Sequence, residues 1–156
     1  MSDKSTRTGL HGFIEELKKE ILEETKRAYG EKAFHRWMEP LFEGALANPD
    51  GYARLKSSCG DSMELFLKFD GERVSEASFR TAGCGASAVC GSYAAEMALD
   101  KSPGDILEIT GESILESLGG LPREEEHIAT LAAQTLQAAL QDFISKRQNN
   151  IGDTLK

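Results

Sequence analysis

Apolar residues at Phe13, Ile14, Leu17, Ile21 and Leu22, with charges between them, have the spacing of a helix with one narrow apolar face. That pattern ends near Tyr29-Gly30, and the polar residues 1–9 ahead of it are expected to be disordered. A second helical piece runs from about Glu31 to Met38. Pro40, Gly44, Asn48-Pro49 and Asp50-Gly51 then mark a long irregular connection. The period next changes to two. Tyr52 to Ser57 reads as a short strand. Met63, Leu65, Leu67 and Phe69 then alternate with Ser62, Glu64, Phe66 and Lys68, and Asp70-Gly71 supplies a turn. Val74 to Thr81 returns with Ala77 and Phe79 inward and Glu76, Ser78 and Arg80 outward.

Helical patterning resumes after residue 84. Small residues run to Leu99, Ser102-Pro103 reads as a helix start with proline in its first turn, and Glu112 to Leu118 stops at Gly119-Gly120. Pro122 opens the last helix, whose stripe is Ile128, Leu131, Ala132, Leu136, Ala139, Leu140 and Phe143. From Gln148 onward the chain reads as a frayed tail. There is no internal repeat.

Composition narrows the function classes. At 156 residues and 40% hydrophobic content the chain fits one domain with a real core. The 18 Lys and Arg against 26 Asp and Glu give a net charge of -8, which argues against nucleic acid or an anionic membrane as the main partner. The opening Met-Ser-Asp-Lys-Ser-Thr-Arg lacks the apolar core of a secretory leader, and no run approaches the roughly 18 apolar residues of a membrane span. Three cysteines, an odd number, suit reduced thiols in a cytoplasmic protein better than a disulfide framework. No nucleophile–base–orienter set and no phosphate-cradling glycine loop is visible, so a conventional enzyme is not expected.

Four residues remain as candidate ligands, each with a plainer alternative. Cys59-Gly60-Asp61 sets a thiol and a carboxylate two residues apart, on one side of the chain if it is extended there; the plain reading is a turn with a buried Cys and a solvated Asp. Gly83-Cys84-Gly85, after a strand and before a helix, is a poor way to fill a core. It is a good way to expose a sulfur under free helix amides, which favour the thiolate. His127, in the first turns of the last helix behind Glu124 to Glu126, reads as a metal ligand or as a surface histidine. Cys59 precedes one strand of the meander and Cys84 follows the last, and antiparallel neighbours bring such ends together. Cys90 is a packing residue on this reading: six positions past Cys84 it lies about 240° round a helix and ~9 Å along it.

These residues give the chain a resemblance to the NifU/IscU-type iron–sulfur cluster assembly scaffolds. It is carried by Ala28-Tyr29-Gly30-Glu31-Lys32, Pro40 and Gly44, and Ser58-Cys59-Gly60-Asp61-Ser62-Met63. It continues through Ala82-Gly83-Cys84-Gly85-Ala86-Ser87, Gly120-Leu121-Pro122 and Glu126-His127-Ile128-Ala129. The resemblance implies an α+β fold, a three-stranded antiparallel sheet with helices packed on it, here with an extra N-terminal helix. It divides the chain into an N-terminal extension with one amphipathic helix (1–27), a scaffold domain (28–147) and a flexible tail (148–156). It implies a site at one end of the molecule holding a transient [2Fe-2S] cluster or a metal ion, with Cys59, Asp61, Cys84 and His127 at the ligand positions. A cysteine desulfurase as sulfur source and apo iron–sulfur proteins as acceptors follow as partners, and a homodimer sharing one cluster stays open.

The departures from the family pattern matter as much. The family's third cysteine directly follows the histidine, and here that position is Ile128. The Leu-Pro-Pro-Val-Lys loop that some relatives show to a dedicated chaperone reads Leu121-Pro122-Arg123-Glu124-Glu125, with its charge reversed. Two thiolates, a carboxylate and an imidazole can also close a tetrahedral site on Zn²⁺. Three readings therefore stand: a cluster scaffold with a reduced ligand set, a zinc-bound sulfur acceptor or desulfurase partner that builds no cluster, and a non-assembling regulatory homologue.

Overall fold

The structure is a computed structural model that describes residues 2–83 and 85–155, with side chains over 9–83 and 85–149. Its elements are α1 (Ser2–Met38), β1 (Gly51–Lys56), β2 (Ser62–Asp70), β3 (Arg73–Ala82), α2 (Gly85–Ala98), α3 (Pro103–Leu107), α4 (Gly111–Leu118) and α5 (Glu126–Leu155), the last preceded by a 3-10 turn over Arg123–Glu125. The strands form an antiparallel meander in the order β1-β2-β3. The expected α+β architecture, with its additional N-terminal helix, is the one observed. No helix among the described residues is long and apolar enough to cross a membrane.

Period-two alternation puts Met63, Leu65 and Leu67 of β2 on one face, opposite Thr81, Phe79 and Ala77 of β3, and all three are fully buried. α2 and α5 cover that face, α4 packs on both helices, and α3 packs on α5. The stripe foreseen on α5 is the buried one: Ile128, Leu131, Ala132, Leu136, Ala139 and Leu140 lie in the core, and Phe143 stacks on Phe69 at 3.8 Å between ring centroids. α2 is made of small residues because it lies close on the sheet, and Cys90 is fully buried there as a packing residue. Capping boxes start α3 (Ser102 with Asp105) and α4 (Thr110 with Ser113), and Gly119 ends α4 in the left-handed conformation.

Three details differ from the sequence reading. α1 begins at Ser2 rather than after a disordered lead, because residues 2–8 hold no proline or glycine to stop it. α5 runs on to Leu155, past the point where its apolar stripe ends. Ser78, expected to face outward, is buried (5% exposed). Phe66 lies opposite it on β2, and residues 42–44 bind the far side of β3. Phe79 N–H donates to Phe42 C=O (3.0 Å) and Gly44 N–H to Phe79 C=O (2.8 Å), so β3 is flanked on both sides there.

α1 is broken where expected, at Gly30 (φ 83°, ψ 170°). Its second half is locked to α2: the Arg36 guanidinium donates to Ser92 Oγ (2.9 Å), pairs with Glu96 (3.2 Å) and lies 4.1 Å over the Tyr93 ring. The first half stands clear of the body, with Leu10, Phe13, Leu17 and Ile21 all about half exposed or more.

α2 lies close on β3. A Cβ at Gly91 would lie 2.6 Å from Phe79 Cδ2. Alanine is the better helix former by ~1 kcal/mol, yet the Phe79 ring is fully buried and has nowhere to move. Gly91→Ala is therefore expected to destabilise the fold by about 1–2 kcal/mol, as overpacking outweighs propensity. Urea unfolding followed by circular dichroism checks this; a more stable variant would contradict it.

Candidate functional site

Cys59 sits in the five-residue connection between β1 and β2. Ser57 N–H donates to Asp61 C=O (2.7 Å), Gly60 N–H donates to Ser57 C=O (3.1 Å), and Gly60 has φ 95°. The chain turns here and is not extended, so the thiol and the carboxylate do not share a side by strand alternation. Cys59 is exposed at the turn, and Asp61 is half-buried.

The register then fixes where Asp61 goes. Ser62 pairs with Ala82, so the residues just before β2 and just after β3 are neighbours. The Asp61 carboxylate fills the space that a side chain at Gly83 would occupy, and Gly83 has φ 153°. Only glycine lets the backbone and this carboxylate come so close. Cys84, a candidate ligand, lies outside the described residues. On its other side Gly85 opens α2, and a Cβ there would overlap the Trp37 indole Nε1. Thr25, Tyr29, Trp37, Gly85 and Val89 line a cleft of about 170 Å³ beside it.

His127 is exposed in the first turn of α5, while its neighbour Ile128 is 1% exposed and part of the core. The 3-10 turn ahead of His127 is held from α1: Tyr29 O–H donates to Glu125 Oε1 at 2.8 Å, and the other carboxylate oxygen, Oε2, is buried with no hydrogen-bond partner among the described residues. Among the described residues no three of His, Cys, Asp and Glu stand close enough to hold a metal ion. Cys59, Asp61 and His127 thus do not make a three-ligand set by themselves. The structure brings the Asp61 carboxylate to Gly83, and it leaves Cys59 and His127 open to solvent.

The sequence reading missed the supporting residues. Trp37 at Gly85 and Tyr29 on Glu125 join α1 to the elements on either side of the candidate ligands. Trp37 is the one tryptophan of the chain, late in a helix, yet without the fold nothing tied it to residue 85, 48 positions on.

Comparison with known proteins follows the same outline. The family described as "NifU-like N terminal domain" matches residues 28–150. The chain is 34% identical over 119 residues to iron-sulfur cluster assembly scaffold protein IscU 1 of Archaeoglobus fulgidus, covering 76% of this chain and 78% of that one. It is 31% identical over 122 residues to the corresponding IscU scaffold protein of Aquifex aeolicus, with the same coverage of 76% and 78%. Among solved structures, a NifU-like protein (N-terminal) from Brucella abortus superposes with a TM-score of 0.62 at 16% identity, over 78% of this chain and 98% of that one, a likeness of fold.

The Tyr29–Glu125 bond carries a stability consequence. Tyr29→Phe removes the donor to a carboxylate whose second oxygen is already buried and, among the described residues, unpartnered. The expected loss is about 1–3 kcal/mol, the penalty for a charged acceptor left unsatisfied. A lower urea midpoint with an unchanged slope checks it, and an unchanged midpoint would contradict it.

Proposed function

The chain belongs to the NifU-like N-terminal domain family, and from that premise we propose that it is a scaffold on which an iron–sulfur cluster is assembled and then passed to apo-proteins. Relatives that it matches over most of their length are named as such scaffolds. The observation that carries the reading is the meeting of two turns at one end of the sheet. Ser62 opposite Ala82 puts the Cys59-Gly60-Asp61 turn beside Gly83, with the Asp61 carboxylate on the glycine.

On this reading Cys59, Asp61, Cys84 and His127 hold the cargo, a [2Fe-2S] cluster. Cys59, exposed at a turn, is accessible to a cysteine desulfurase delivering sulfur as persulfide. Two sulfane sulfurs need four electrons to become sulfide; two ferrous irons becoming ferric supply two, and an external reductant supplies the rest. Iron in such clusters favours thiolate and accepts imidazole. The Asp61 carboxylate is a hard ligand for a soft cluster, and its role is to keep the cluster labile for transfer. Residues 28–147 form the working domain, ahead of which the first half of α1 is an addition. A cytoplasmic setting fits three reduced thiols.

A second reading draws on Ile128. An aliphatic side chain in the core leaves two thiolates, one carboxylate and one imidazole, a donor set suited to tetrahedral Zn²⁺. The protein would then take up sulfur on Cys59 or Cys84 without building a cluster.

Anaerobic reconstitution with ferrous iron, cysteine and a desulfurase separates the two, read by visible absorbance and by iron, sulfide and zinc per chain. The expected result is cluster absorbance with matching iron and sulfide, absent in Cys84→Ser and longer-lived in Asp61→Ala. Zinc retained without cluster would support the sulfur acceptor instead.

A further inference from the structure

We propose that the outer face of the sheet, at the end beside Cys59, is a docking surface for an acidic patch on the protein that donates sulfur. The inference rests on the scaffold reading and gives that site its partner's surface chemistry.

Strand register assembles this face in rows. Lys56, Ser62 and Ala82 form the row nearest the candidate site, followed by Arg54, Glu64 and Arg80, and then Tyr52, Phe66 and Ser78. Three cations thus stand on neighbouring positions against one carboxylate, in a chain whose net charge is -8. Glu64 is already engaged: it accepts from Tyr52 O–H at 2.9 Å and lies 3.7 Å from Arg80 Nε. Arg54 and Lys56 are exposed, and among the described residues neither has a salt-bridge partner. One row past the aromatic pair, Lys68 and Glu76 neutralise each other at 3.8 Å, so the positive excess is confined to the end by the site.

A shallow cleft of about 180 Å³ opens between Arg54, Ser62, Glu64, Arg80, Thr81 and Ala82. Arginine and tyrosine on a firm backbone are the residue types that anchor protein interfaces. Both arginines act on the Tyr52 phenol, whose pKa burial and then Glu64 raise and whose rise Arg54 and Arg80 oppose. Lys56 and Ser62 bracket the turn that carries Cys59, and Ala82 precedes Gly83. Carboxylates of a partner seated on these rows would bring its sulfur-bearing segment to that turn. Unlike charges across such a contact steer encounter and fix register.

The test is Arg54→Glu with Lys56→Glu, which leaves the Glu64–Arg80 pair in place. Lys32→Glu with Lys101→Glu is a control of equal charge change on exposed lysines elsewhere. Affinity for the cysteine desulfurase of the same organism is measured at about 50 and 300 mM salt, between which the screening length falls about 2.4-fold. Cluster formation from ferrous iron and inorganic sulfide is measured in parallel.

The expected result is wild-type affinity that falls with salt, a Kd raised at least about tenfold in the patch variant at low salt, and little change in the control. Cluster yield from inorganic sulfide stays the same in all three proteins. Equal Kd values for the patch variant and wild type, or an equal loss in the control, would overturn the docking surface. Failure of all three proteins to form cluster from sulfide would instead overturn the scaffold reading on which it rests.

Discussion

The pairing of β2 with β3 is the constraint on which the rest depends. Ser62 opposite Ala82 sets Asp61 against Gly83 at one end, and the same register turns Met63, Leu65 and Leu67 toward the helices. A slip of one residue would exchange the two faces, exposing those three side chains and burying Glu64 and Lys68. The core therefore enforces the geometry of the site. The single irregularity in the ladder, between Lys68 and Phe69, lies at the opposite end, where the stagger does not disturb Asp61.

α1 links its own body to the site from a second direction. Beyond the break at Gly30, Arg36 locks the helix to α2 through Ser92, Glu96 and Tyr93, which fixes Trp37 against Gly85. Just before the break, Tyr29 holds the turn that leads into His127. The elements that carry the late histidine and follow the central Gly83 are thus tied to one another through a helix far away in sequence. This gives the N-terminal segment a positioning role, while the outer part of α1, from Leu10 to Ile21, keeps its apolar residues largely in solvent.

Much of this was legible from residue order, for physical reasons that differ by element. The meander announced itself because alternation over Ser62–Phe69 has no competing helical reading, and α5 because its stripe is long. The three-stranded sheet beneath the helices came from the family resemblance of the Cys-Gly-Asp and Gly-Cys-Gly motifs. What stayed hidden depended on long-range packing. Ser78 alternates outward on paper, and its burial comes from Phe66 and from residues 42–44, an irregular stretch whose pairing with Phe79 no local pattern signals. At Cys59-Gly60-Asp61 the sequence offered both an extended chain and a turn; Gly60 at positive φ makes it the turn, but with Cys59 exposed and not buried. Trp37 looked like an ordinary helix residue and Tyr29 stood only as part of a family motif, because their partners lie 48 and 96 positions away.

The central claim of the proposed scaffold function is that two thiolates, a carboxylate and an imidazole hold the cluster without a third thiolate, because the position after His127 is Ile128, a core residue. Iron-edge X-ray absorption on the anaerobically reconstituted protein addresses it most directly. Two bridging sulfides with, on average, one thiolate and one oxygen or nitrogen per iron give a first shell of three sulfurs to one lighter atom. That ratio, shifting in Asp61→Ala or His127→Ala, is the result the account predicts. A shell of four sulfurs, unchanged in both variants, would contradict it.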